Sequence, residues 1–143
     1  MKNVRHVGLV VSNIEKALKF YRDLLGLKLQ GSTDEYGDFI SDLFARDRIE
    51  LKTQKLSADD NATRIELIEF SNPKSNQNEK VELFNQGFTH VALTVNNLDE
   101  LYRRLKDAGV KFNSPPKLSQ DRSLKVTFCQ DFEGNFLELI QEI

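Results

Sequence analysis

Cysteine and histidine are both scarce in this chain, with one of the first and two of the second in 143 residues. A lone thiol, Cys129, cannot close an internal disulfide, and its solitude suits a reducing compartment. Long apolar runs are missing too. The opening "MKNVRHVGLVVS" is interrupted by Arg5 and His6, so it reads as neither a signal peptide nor a spanning helix. Charge of one sign does not dominate: the formal net charge of −2 gives no pull toward nucleic acid or a membrane surface. A Gly-rich phosphate loop is absent, so nothing supports a nucleotide-like handle. What these absences leave is a soluble cytoplasmic protein. Its length suits one domain that buries about 68–70% of the surface exposed by the unfolded chain.

What is present is a duplication. "RHVGLVVSNIEKALKFYRDLLGLKL" (5–29) lies over "THVALTVNNLDELYRRLKDAGVKF" (89–112), so that His6 meets His90, Val7 meets Val91, Leu9 meets Leu93 and Asn13 meets Asn97. The intervening helix is one residue longer in the first copy, after which "GLK" meets "GVK". Both copies close alike, on "RIELIEF" (64–70) and "FLELIQE" (136–142), which pairs Glu66 with Glu138. Both histidines therefore occupy one repeat position, and two glutamates occupy another.

Periodicity predicts the elements. Residues 4–11 and 88–95 have strand composition. Capping boxes follow at "SNIE" (12–15) and "NLDE" (97–100), each opening a helix with one apolar stripe. The stripes are Ile14, Ala17, Leu18, Tyr21, Leu24, Leu25 and Leu98, Leu101, Tyr102, Leu105, Ala108, with Gly26 and Gly109 as stops. Further strands are expected at 27–33, 48–55 and 63–70, then at 110–113, 123–130 and 135–142. "DFEGN" (131–135) is turn chemistry, and "DFISDLFARD" (38–47) is an extra helical segment. Each half is thus βαβββ, an α+β arrangement. Module one covers 1–71, a polar linker 72–87 and module two 88–143, within a single domain of 1–143.

Strand side chains alternate between faces. Val7, Leu9 and Val11 share the face that packs on the helix, so His6 points the other way with Gly8 and Val10. His90, Ala92 and Thr94 do the same in the repeat. On the closing strands Ile65 and Leu67, or Leu137 and Leu139, suit the helix side, which turns Glu66 and Glu138 onto the histidine face. A lone strand histidine is more often a packing residue, and a lone strand glutamate usually faces water. Four such coincidences at two matched positions favour a shared purpose. Two neutral imidazoles and two carboxylates balance a divalent cation, leave room for two waters in an octahedral shell, and suit Ni²⁺, Co²⁺, Zn²⁺, Fe²⁺ or Mn²⁺.

With its paired modules, its "RIELIEF" strand and its "DFEGNFLELIQ" turn and strand, the chain resembles the vicinal oxygen chelate superfamily, which includes glyoxalase I, methylmalonyl-CoA epimerase, extradiol dioxygenases, fosfomycin-resistance enzymes and bleomycin-binding proteins. The resemblance covers nearly the whole chain, with Phe132 replacing the usual proline of the turn. It implies a cupped eight-stranded mixed sheet with helices outside (the glyoxalase-like fold) and one divalent metal ion held by His6, Glu66, His90 and Glu138. It also implies a small-molecule substrate and a homodimer, with modules paired within one chain or swapped between two.

A complete four-ligand set resembles glyoxalase I and methylmalonyl-CoA epimerase. The reaction so implied is that of a metal-dependent lyase or isomerase, in which the cation stabilises an enediolate or enolate while a carboxylate moves the proton. Glu138 is the first choice for that base and Glu66 the symmetric candidate. Glu50 is a third, though a solvated strand position beside Arg48 and Lys52 explains it as well. Two other readings stand beside this one: a metal-free, ligand-sequestering (drug-binding) protein, and an Fe-dependent ring-cleaving dioxygenase. Arg64, Lys52, Arg122 and Lys125 could meet an anionic substrate group, and Phe39, Ile40, Leu43 and Phe44 could wall the cup. "SPPKLSQDRS" (114–123) reads as a lid or a stiffened connection.

Overall fold

The computed structural model describes residues 1–59, 62–76 and 82–143. The chain forms two compact units, Met1–Gln77 and Asn78–Ile143, divided inside the segment expected to link the modules. Part of that linker, 77–81, lies outside the described residues.

Unit 1 runs β1 (His6–Val10), α1 (Ile14–Leu18), β2 (Lys28–Tyr36), α2 (Asp38–Leu43), β3 (Glu50–Ser57) and β4 (Arg64–Asn72). Its sheet has the order β1-β4-β3-β2, with β1 parallel to β4 and the remaining pairs antiparallel. Unit 2 runs β5 (His90–Thr94), α3 (Leu98–Asp107), β6 (Lys111–Phe112), β7 (Lys117–Leu118), β8 (Leu124–Gln130) and β9 (Phe136–Glu142). Its sheet repeats the topology as β5-β9-β8-β6, again with first and last strands parallel. The duplication seen in the residues is thus a duplication of topology. Eight strands are expected from the sequence and nine are found among the described residues. The extra one is β7, which pairs with β8 and turns the supposed lid into an edge. Asp121 ties off its end by accepting from Ser119 Oγ, Ser123 N–H and Ser123 Oγ, and these bonds hold its carboxyl below the usual range.

The extra residue in the first helix has a visible destination. After Leu18 the helix widens into a π-turn over Lys19–Leu24, where Leu25 N–H donates five residues back to Phe20 O. A single insertion absorbed this way leaves the helix ends in register. Gly26 and Gly109 accordingly stop the two helices at nearly the same left-handed φ, 82° and 83°. The widening also brings Phe20 into the core beside Tyr21, while Leu24 and Leu25 are only half-buried. In α3, Leu98, Leu101 and Leu105 are buried as the stripe requires, but Ala108 is exposed at the helix end.

Both helix starts are capped twice. Asn13 Oδ1 accepts from Lys16 N–H at 2.8 Å and Asn97 Oδ1 from Glu100 N–H at 3.1 Å. The first cap is therefore Asn13 and not Ser12, as its match to Asn97 requires. The second acceptor comes from the closing strand: Glu69 takes the Ile14 N–H and Gln141 the Leu98 N–H. Each helix is pinned to the strand that carries the candidate glutamate, three residues along.

The segment after β2 is shorter than expected. Helix α2 ends at Leu43 because Ala45 and Arg48 adopt left-handed φ values of 49° and 55°. Ile40 packs with Ile49 and Leu51 against Ile68 and Phe70, and Phe44 meets Phe70 edge-on. By alternation Ile68 and Phe70 share the Glu66 face, so α2 does supply an apolar margin to that face of unit 1. Among the described residues no helix is long and apolar enough to cross a membrane.

Candidate functional site

Alternation places the four sequence candidates as expected within each unit. Along β1 and β5 the histidines are exposed while Val7, Leu9, Val91 and Leu93 are half-buried toward the helices. Parallel pairing sets Gly8 beside Glu66 and Ala92 beside Glu138, one step along from each imidazole. These small neighbours leave the carboxylates room to reach the rings. His6 Nε2 lies 3.1 Å from Glu66 Oε2, and His90 Nε2 lies 3.4 Å from Glu138 Oε2. The same pair is built twice, at the same register, from the first and last strands of each unit.

The surroundings of the pairs differ. Glu66 is buried, and Lys55 Nζ stands 3.2 Å from its Oε1. Glu138 is half-buried and faces Phe128 across β8. His90 meets the edge of the Phe128 ring at 5.2 Å, and its Nδ1 lies 2.9 Å from Thr89 Oγ1. Asp131 fixes the turn leading into β9 by accepting from Glu133 N–H, Asn135 N–H and Asn135 Nδ2. Phe132 stands within this bonded turn, at the position where the resemblance expects proline.

The donor chemistry of each pair suits a borderline divalent cation: one imidazole nitrogen and one carboxylate oxygen, turned toward each other on an open face. Each unit supplies two such donors. Among the described residues no group of three or more His, Cys, Asp or Glu side chains able to hold an ion is found. Neither unit completes a shell by itself.

Other candidates sort by face. Glu50 alternates with Leu51 to the side opposite Lys55 and shares it with Lys52, which removes both from the Glu66 face. Lys125 is engaged by Asp99 at 2.6 Å. Arg122 sits at left-handed φ in the exposed turn after β7. Arg64 alternates to the Glu66 side beside His6. Lys55, by contrast, was not among the sequence candidates. Its role depends on the β3–β4 register, and only the closing distance between "KTQKL" and "RIELI" could have pointed to it.

Cys129 belongs to the helix face of β8. It is fully buried, and its thiol is pushed up to about 12 by burial first and by nearby Asp131 second. A neutral, enclosed thiol is neither ligand nor nucleophile. The folded chain keeps a proton that the unfolded chain loses above the ordinary thiol value of 9.0, so stability falls as pH rises from there toward 12. The expected slope from this group is about 1.4 kcal/mol per pH unit. Denaturant melts between pH 9 and 10.5 should show it, and Cys129→Ala should flatten it; an identical slope in the variant would refute the assignment.

Comparison with known proteins gives relatives in sequence and in fold. A longer yeast protein is among the matches: the chain is 25% identical over 145 residues to the Saccharomyces cerevisiae protein named glyoxalase I, covering 96% of this chain but only 44% of the yeast one. It is also 25% identical to the uncharacterised Bacillus subtilis protein YwkD, over 99% of this chain and 98% of that one. A glyoxalase family protein from Bacillus cereus superposes with a TM-score of 0.91 at 22% identity, covering 100% of this chain and 95% of the other. The trypanothione-dependent glyoxalase I of Leishmania major gives 0.72 at 19% identity, over 99% and 88% of the chains. Those two likenesses establish the fold, which is α+β and glyoxalase-like. The model of the Glyoxalase/Bleomycin resistance protein/Dioxygenase superfamily matches residues 3–139, and the chain belongs to that superfamily.

Proposed function

We propose that His6, Glu66, His90 and Glu138 supply the four protein ligands of one divalent ion (Ni, Co, Zn, Mn or Fe), two donors from each unit. The pairs would meet within one chain or between the two chains of a homodimer. The activity we assign is that of a metal-dependent lyase or isomerase removing a proton beside the carbonyl of a small molecule, as in glyoxalase I or an acyl-CoA epimerase. The observation that carries this reading is the repeated His–Glu pair, made at 3.1 and 3.4 Å on matched strands. Membership of the superfamily and the likeness to glyoxalase I support it. A reducing cytoplasmic setting agrees with the single enclosed thiol.

When bound, such an ion polarises a carbonyl oxygen and stabilises the negative charge that proton removal leaves, a contribution of several kcal/mol. The chain's own part is to hold and move the proton. Glu138 would be the base: it is half-buried, it lies 3.4 Å from His90 Nε2 so that the two could hold one ion, and Phe128, not an ammonium, stands opposite it in the register. Glu66 is a ligand first and the base of the opposite face second.

The test is stoichiometric. Protein stripped with chelator and reloaded separately with each of the five metals should bind one ion per chain, by elemental analysis and calorimetry. Two ions per chain would mean that each pair binds alone. None, with the fold intact, would move the protein to the ligand-sequestering members of the superfamily.

A further inference from the structure

The two copies of the site face differ at one register position. The cross-strand partner of Glu66 is Lys55 on β3; that of Glu138 is Phe128 on β8. Lys55 does more than stand nearby, because the two oxygens of Glu66 have separate partners: Oε2 faces His6 Nε2 at 3.1 Å and Oε1 faces Lys55 Nζ at 3.2 Å. We propose that Lys55 is a positioning residue that clamps Oε1 of Glu66, so that this carboxylate offers a metal Oε2 alone, as a fixed one-oxygen ligand. The proposal rests on the metal reading above and assigns unequal tasks to two glutamates that the repeat makes equivalent.

Three physical points support it. The Glu66 side chain is 10% exposed, and a carboxylate so enclosed needs a donor for each oxygen. Lys55, with its side chain 31% exposed, sets an ammonium 3.2 Å from Oε1, an ion pair that solvent and salt screen less than one at the open surface. The clamp also survives the arrival of a cation on Oε2, since it engages the other oxygen. On the opposite copy an aromatic ring cannot restrain Glu138 in this way, and that side chain is 22% exposed. Freedom to swing suits a proton carrier; a clamp suits a ligand. Supporting contacts of this kind typically govern metal affinity by about 10–100-fold. Repulsion between the ammonium and a divalent ion acts in the other direction, so the sign of the effect is decisive.

Co²⁺ titration of metal-stripped full-length protein provides the test, followed by calorimetry and by the visible d–d bands. Lys55→Met should bind Co²⁺ about 10–100-fold more weakly and change the band intensities as Glu66 coordination alters. Lys55→Arg, which restores a charged donor, should return both toward wild type. Lys55→Gln, a neutral donor, repeats the test if Lys55→Met does not fold. Equal or tighter binding by the Met variant with an unchanged spectrum would overturn the clamp and leave Lys55 a mere counter-charge. Wild-type protein that binds no Co²⁺ would instead bring down the metal reading itself, so the two failures are told apart.

Discussion

Replacing His90 with alanine should abolish the divalent-metal binding proposed above and leave unit 2 folded. The imidazole lies on the exposed face of β5, with its side chain 33% accessible, so little packing is lost. What disappears is the exposed contact of Nδ1 with Thr89 Oγ1, the approach to Glu138 and the T-shaped contact with the Phe128 ring, the last on the order of 0.5–1.5 kcal/mol. A change of that size lowers the melting temperature by about 2–8 °C in a protein of this class. Metal affinity should fall by more than the roughly 10–100-fold that loss of a merely supporting contact costs, because the proposal makes His90 a ligand itself. Calorimetric titration and a thermal melt in chelator measure the two effects separately. Collapse of the fold with no bound ion to lose would show that His90 is a packing residue. Unchanged affinity would show that the ion, if bound, lies elsewhere.

Glu138→Gln should produce the complementary result, with the ion partly retained and proton exchange lost. An amide oxygen still coordinates a cation, though more weakly than a carboxylate, but it cannot accept a proton at neutral pH. The loss in exchange rate should be about 10²–10⁴-fold, the usual contribution of a positioned general base. Solvent deuterium entering the carbon next to the carbonyl is the direct readout, over a panel of hemithioacetals and 2-methyl-branched acyl thioesters. Glu66→Gln makes the informative comparison: its carboxylate is held by Lys55, so its removal should cost metal affinity before it costs exchange. Exchange that persists in Glu138→Gln while vanishing in Glu66→Gln would reverse the roles of the two glutamates.

The family was legible from a few residues because a duplication repeats its constraints. A histidine before an alternating Val–Leu strand, a capped amphipathic helix and a closing Glu-Leu-Ile strand are local patterns, each fixed by side-chain period. Occurring twice, they gave the βαβββ order of each half and the face of His6, Glu66, His90 and Glu138. Details that depend on backbone accommodation were not legible in the same way. That one inserted residue would become a π-turn and draw Phe20 into the core depends on how the helix packs. The short β7 edge was hidden because two residues carry no period.

By itself the sequence determined that His6 and Glu66, and likewise His90 and Glu138, share a face, since strand alternation is a local geometric rule. Only the tertiary structure decided what stands opposite each glutamate. Strand register is set by turn geometry and by packing across the whole sheet, so Lys55 beside Glu66 and Phe128 beside Glu138 could emerge only once the strands were paired.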